Sequence, residues 1–216
     1  MRPMSLTSLI TILILLMTAS ARADQASDGA VIDRVRGMVE DVRAKSFAEL
    51  RGVDIRIKLF DSDSDYFQTR FTLTSILFSR KLHYLLMVNR RIFESGAGDE
   101  EVRAILAHEL GHILYFQERR RLQLPLLIRL ACGGFTSQFE RKTDLVAIAR
   151  GYGEGLKLYR CWLYRNIPVR KLKEKRRNYF TPEEIDAILL RTRLQPGLFE
   201  RWRKRAPRSL HEIAGG

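Results

Sequence analysis

Cysteine and histidine are both scarce in this chain. Two cysteines, Cys132 and Cys161, stand among 216 residues, and neither belongs to a C-x-x-C pair. That spacing gives no support to a cysteine-ligated zinc site or a thioredoxin-like redox motif. In an oxidising compartment the two thiols could be bridged, closing a loop worth roughly 3 kcal/mol. Two buried free thiols satisfy the same sequence, because spacing alone sets no distance between them.

Long apolar runs are also missing. LTSLITILILLMTA, at 6–19, falls short of the roughly 20 residues that cross a bilayer. It follows Arg2 and precedes Ala21-Arg22-Ala23, small residues at the positions a signal peptidase reads. The expectation is a secretory signal over 1–23, cut between Ala23 and Asp24, and a periplasmic or secreted mature protein. No cysteine follows the run closely, so a bacterial lipoprotein is not indicated. A second apolar stretch, LQLPLLIRLACGGF, is broken by Pro125 and Gly133-Gly134. It reads as a core segment or a lip resting on a membrane.

The chain has no internal repeat. Asp61, Asp63 and Asp65 lack the glycine and distal glutamate of a calcium loop, so DSDSDY reads as a turn.

What is present is a globular composition with 45% hydrophobic residues, in a length that suits one domain with an appendage. Charge is unevenly placed. Residues 1–112 balance 15 basic against 15 acidic side chains, so the whole net charge of +13 follows them. Behind a signal peptide, that basic half fits an anionic membrane surface or an acidic envelope partner better than nucleic acid. A solvated basic face explains it equally well.

Periodicity predicts the elements. Val31, Ile32, Val35, Met38, Val39 and Val42 have helical spacing, and DIRIKLFD alternates as a half-buried strand. A second extended segment, 82–91, leads into a helix that starts near Asp99 with Glu100 and Glu101 in its first turn. SQFERKTDLVAIARG and GLKLYRCWLYR are helical. The basic run VRKLKEKRRN precedes Thr181-Pro182-Glu183-Glu184, an N-cap, first-turn proline and capping-box glutamate opening a helix over 182–193. The expected organisation is 1–23 signal, 24–167 main domain and 168–216 basic helical extension.

Two of the four histidines carry the chemistry. In HELGH, His108 and His112 lie one turn apart on one helix face and can offer two imidazole nitrogens to one metal. Glu109 then stands beside the metal, placed to take a proton from its bound water. Gly111 leaves room for close packing behind the site. A third ligand is required. The metzincin pattern needs glycine at 115 and histidine at 118, where this chain has Tyr115 and Glu118. The gluzincin pattern needs a later glutamate with an aspartate four residues on, and FERKTD supplies Glu140 and Asp144. Asp144 would receive the other N–H of a ligand histidine. Tyr152, Tyr159, Arg165 and His211 are candidates for stabilising an oxyanion, though each also reads as structural. His83 and the two tryptophans, Trp162 and Trp202, read as packing residues.

LMVNRRIFESGAGDEEVRAILAHELGHILYF, with SQFERKTD downstream, resembles the core of the HtpX-type and CAAX-prenyl-endopeptidase-like metallopeptidases, peptidase family forty-eight. Gln138 and Thr143 stand where that pattern has arginine and alanine. The resemblance covers roughly 30–160. It implies an α+β, minimal gluzincin (zincin-like) fold, mostly helical, with a small mixed sheet beside the HExxH helix and an edge strand along the cleft. It implies one Zn2+ held by His108, His112 and Glu140, with Glu109 catalytic and Asp144 orienting a ligand. Residues 84–89 are expected to accept a peptide as an extra strand. The function expected is zinc-dependent hydrolysis of peptide bonds in envelope or secreted proteins. The alternative is an envelope assembly factor of the same fold that docks through its basic half.

Overall fold

The computed structural model describes residues 27–71, 83–118 and 134–215. The signal segment, Cys132 and most of the broken apolar stretch lie outside them. Cys161 is a free, half-buried thiol.

Helix α1 spans 27–46 and buries Val35, Met38, Val39 and Val42, the stripe its spacing predicts. Three strands follow: β1 (Ile55–Leu59), β2 (Phe67–Phe71) and β3 (Tyr84–Val88). In β1 the isoleucines and Leu59 face inward while Arg56 and Lys58 face solvent. A short helix α2 (Arg91–Glu94) leads to α3 (Asp99–Glu118), which carries HELGH. Then come α4 (Gly134–Ala147), α5 (Gly153–Asn166), α6 (Val169–Asn178), α7 (Pro182–Leu194), α8 (Leu198–Lys204) and α9 (Leu210–Gly215). The architecture is α+β, mostly helical with a small sheet.

The sheet order is β1-β3-β2. β3 runs parallel to β1 and antiparallel to β2, so the sheet is mixed. This corrects the expectation that a peptide could pair with 84–89. β3 is the central strand, and its backbone groups are engaged on both sides. The edge beside α3 is β2, whose Thr69 hydroxyl donates to the Glu109 carbonyl. β2 was not anticipated, although Phe67, Thr69 and Phe71 alternate with Gln68 and Arg70. The preceding polar segment is a turn, as read. The Ser62 hydroxyl accepts the amides of Ser64 and Asp65, and the Asn89 side chain donates to the Ser62 carbonyl at 2.8 Å.

α3 is the axis of the molecule. Every residue from Ala104 to Ile113 is buried, as expected of a helix enclosed on all sides by α4, α5 and β2. Two glycines permit the enclosure. A Cβ on Gly111 would sit 2.9 Å from Thr143 Cγ2 of α4, and one on Gly155 of α5 would sit 2.8 Å from the Glu100 carbonyl. Between α4 and α5 the chain winds a π-turn over Ile148–Tyr152, and Gly151 takes a φ of 93° there.

The helices of 168–216 share the core of the rest. Phe180, Ile185, Ile188, Leu198, Trp202 and Ile213 are all buried in it. At the start of α7 the capping box forms as read, with Thr181 and Glu184 exchanging side-chain-to-backbone bonds. Glu184 also accepts from Arg141 of α4 at 3.1 Å, a pair buried on both sides, and Arg141 donates further to the Pro207 carbonyl. Two cations of the basic run are occupied as well: Arg170 pairs with Asp63, and Lys175 with Asp65 at 2.6 Å.

Candidate metal centre

α3 and α4 bring three donor atoms together. His108 Nε2 lies 3.1 Å and His112 Nε2 3.2 Å from the same Glu140 oxygen. The three ligand atoms fall within 4.8 Å of one another, at a place where both histidines are buried. Two imidazole nitrogens and one carboxylate are the donor set of a catalytic zinc, which binds them at about 2.0–2.2 Å.

Each histidine is turned by its outer nitrogen. His108 Nδ1 meets the Asp144 Oδ1 at 2.7 Å, and His112 Nδ1 meets the Thr143 hydroxyl at 3.3 Å. That hydroxyl donates to the Phe139 carbonyl, so its lone pair is what receives the His112 N–H. Both rings therefore present Nε2 to the centre. Burial alone disfavours a charged His108, but the bonds and charges of Asp144 and Glu140 outweigh it and raise the imidazole to about 9 in the metal-free protein. Burial also opposes ionisation of Glu140, yet the two histidines hold its carboxyl far below the usual range. The pocket is thus built around a positive charge, and a divalent cation can supply it in place of the proton.

Asp144 is fully buried and accepts three donors. Besides His108, Arg160 of α5 donates to its Oδ1 at 2.9 Å, and the Phe180 main-chain N–H donates to its Oδ2 at 3.0 Å. Burial would raise this carboxyl; the Arg160 charge above all keeps it depressed. Arg160 is buried too, with its guanidinium 4.5 Å over the Tyr179 ring.

Glu109 stands beside the donor set and outside it. Its side chain is buried, and Oε2 has no hydrogen-bond partner among the described residues. An orphaned carboxylate oxygen is costly unless something polar is meant to meet it. The Glu109 side chain lines a cavity of about 280 Å³. The walls include His112, Glu140 and Tyr179, the length of β2 from Phe67 to Arg70, and an aromatic pair, Phe116 and Phe139.

The model of peptidase family M48 matches residues 76–152. No curated protein and no solved structure matches the chain. The M48 match spans α3 and α4, and so both histidines, Glu109, Glu140 and Asp144. It supports the M48 metallopeptidase family and, with it, a protease. It stops before Arg160 and Tyr179.

All five residues singled out for the metal site meet here. The four oxyanion candidates do not line the cavity beside Glu109 and His112. The Tyr152 hydroxyl bonds Ser46, Tyr159 is buried and stacked on Trp162, and Arg165 and His211 are exposed. His83 pairs with Asp54 at the sheet's margin. Sequence reasoning missed Arg160, Thr143 and Tyr179. Arg160 did leave a trace: it is a cation on the face of α5 that buries Leu156, Tyr159 and Leu163. For Tyr179, which follows the basic run directly, no such signal exists.

Proposed function

We propose that this chain is a zinc-dependent metalloendopeptidase that hydrolyses peptide bonds of secreted or envelope proteins. The observation that carries the reading is the convergence of His108, His112 and Glu140 beside the unpartnered Oε2 of Glu109. Those three side chains would hold one zinc per chain. Bound there, zinc would acidify a water and polarise the scissile carbonyl.

The chain's own residues supply the remainder. The Glu109 carboxylate takes the water's proton as the water oxygen bonds to the carbonyl carbon. It then delivers that proton to the amine nitrogen as the C–N bond breaks. Asp144 and Thr143 keep the two imidazoles aimed. β2 offers an extended backbone along the cavity, and among the described residues it pairs only with β3. A substrate strand laid against β2 would be held by main-chain hydrogen bonds, giving affinity with little sequence preference. Export behind the segment 1–23 is part of this proposal, as is contact of the basic half with anionic envelope surfaces.

The test is purification with metal analysis, followed by digestion of β-casein by the parent and by Glu109→Gln. One zinc per chain is expected in both, with cleavage lost in the variant by about three orders of magnitude. Absence of stoichiometric zinc, or equal cleavage by the two proteins, would remove the reading.

A further inference from the structure

The candidate centre as described has a base and a metal-binding set. It has no assigned group to meet the carbonyl oxygen as that atom gains charge, and none of the four residues nominated from sequence lines the larger cavity with Glu109, His112 and Glu140. One other side chain at the cavity suits that role. We infer that the Tyr179 hydroxyl is a catalytic hydrogen-bond donor, directed at the substrate carbonyl oxygen as it becomes an oxyanion. The inference rests on the peptidase reading and deepens it.

Four observations converge on Tyr179. It lines the same cavity as Glu109, His112 and Glu140. It also lines a second, tight space of about 30 Å³ that adjoins Glu109 and His108, room for roughly one water. Its ring centroid is 5.9 Å from that of His108, which sets the ring beside a candidate metal ligand. Among the described residues its hydroxyl has no hydrogen-bond partner. A tyrosine at a polar site ordinarily finds a partner for that group. Here the donor is left for a visitor.

The position is also held firmly. Tyr179 closes α6, its amide bonded to the Lys175 carbonyl, and its backbone is extended. The next residue is Phe180, whose amide is fastened to Asp144. The Arg160 guanidinium, which also grips Asp144, packs 4.5 Å from the centre of the Tyr179 ring. One buried carboxylate thus fixes both the ligand His108 and the frame of Tyr179. A donor needs that kind of placement, since electrostatic help counts only when it is organised beforehand.

The chemistry balances without a further reactant. Tyr179 keeps its proton throughout. Its O–H shortens toward the carbonyl oxygen as the tetrahedral species forms, and relaxes when the C–N bond breaks. The proton that moves is the one Glu109 carries.

The experiment begins with the zinc-loaded parent and β-casein; a synthetic peptide spanning one cleaved bond is then the substrate for steady-state kinetics. Tyr179→Phe keeps the ring, its packing on Arg160 and the Phe180 contact. It is expected to lower kcat by roughly 10²-fold, as loss of a single oxyanion donor does, with KM within about threefold and zinc content unchanged. Tyr179→Leu, which also removes the packing on Arg160, is expected to lose zinc affinity in addition. A Tyr179→Phe enzyme whose kcat stays within threefold of the parent overturns the inference while leaving the peptidase reading intact. A parent that cleaves nothing overturns the peptidase reading, and the inference with it.

Discussion

Arg160 and Asp144 form a buried ion pair at 2.9 Å, and the carboxylate in that pair is the one that orients His108. The pair ties α5 to α4 at the depth where the metal-binding donors meet. Removing the cation alone would leave a buried carboxylate short of its main charge partner. Replacement of Arg160 by leucine is therefore expected to cost about 3–5 kcal/mol of stability, read from the urea midpoint. A loss below about 1 kcal/mol would show that Asp144 needs only His108 and the Phe180 amide.

Thr143 tests whether the outer nitrogen of His112 matters separately. Thr143→Val keeps shape and the methyl group but takes away the acceptor of the His112 N–H. Zinc affinity is expected to fall about 10-fold, with the thermal midpoint of the metal-free protein nearly unchanged. Titration against a chelating dye measures the first, and a melt in excess chelator the second.

Gly111 sets the distance between α3 and α4. In Gly111→Ala the new methyl must displace Thr143 Cγ2, at a cost of roughly 1–3 kcal/mol, partly offset by alanine's better helix propensity of about 1 kcal/mol. Zinc binding should weaken as the ligand-bearing helices part. Thr143→Ser removes the obstructing methyl and keeps the hydroxyl. Combined with Gly111→Ala it is expected to restore affinity, so the two changes should couple strongly in a double-mutant cycle.

Acid sensitivity follows from the other end of the site. Burial would raise the Asp65 carboxyl, but the Lys175 charge and the Ser62 and Ser64 hydroxyls bring it below its ordinary 3.8. A carboxyl depressed by folding stabilises fully above its unfolded pKa and ceases to do so as pH falls through the folded value. The parent should therefore lose stability from about pH 4 downward more steeply than Asp65→Asn, compared by melts at about pH 7, 4 and 2.5. Parallel acid limbs for the two proteins would show that the Asp65–Lys175 contact does not anchor α6.

Much of the site was legible because its ligands obey local rules. His108 and His112, then Glu140 and Asp144, are each four residues apart, and that interval fixes a shared helix face whatever the rest of the chain does. The capping box at Thr181 is equally local. What could not be read depends on where separate elements land. The segment 84–88 looks like any half-buried strand, and only the pairing of Phe67–Phe71 on its far side makes it central. Arg160 acquires meaning only when α5 folds back past Gly151, and Tyr179 only when α6 has crossed to the β1–β2 turn. Both are contacts between residues distant in sequence, with no interval to announce them.

Of the three donors that hold Asp144, one belongs to no side chain. The Phe180 amide would persist through substitution of that residue by any other amino acid except proline. Genetic drift at position 180 can thus alter the packing around the centre without silencing this donor. A saturation library there should be graded by how well each side chain fills the buried position, with zinc affinity kept in every variant that folds and lost only with the proline that removes the N–H.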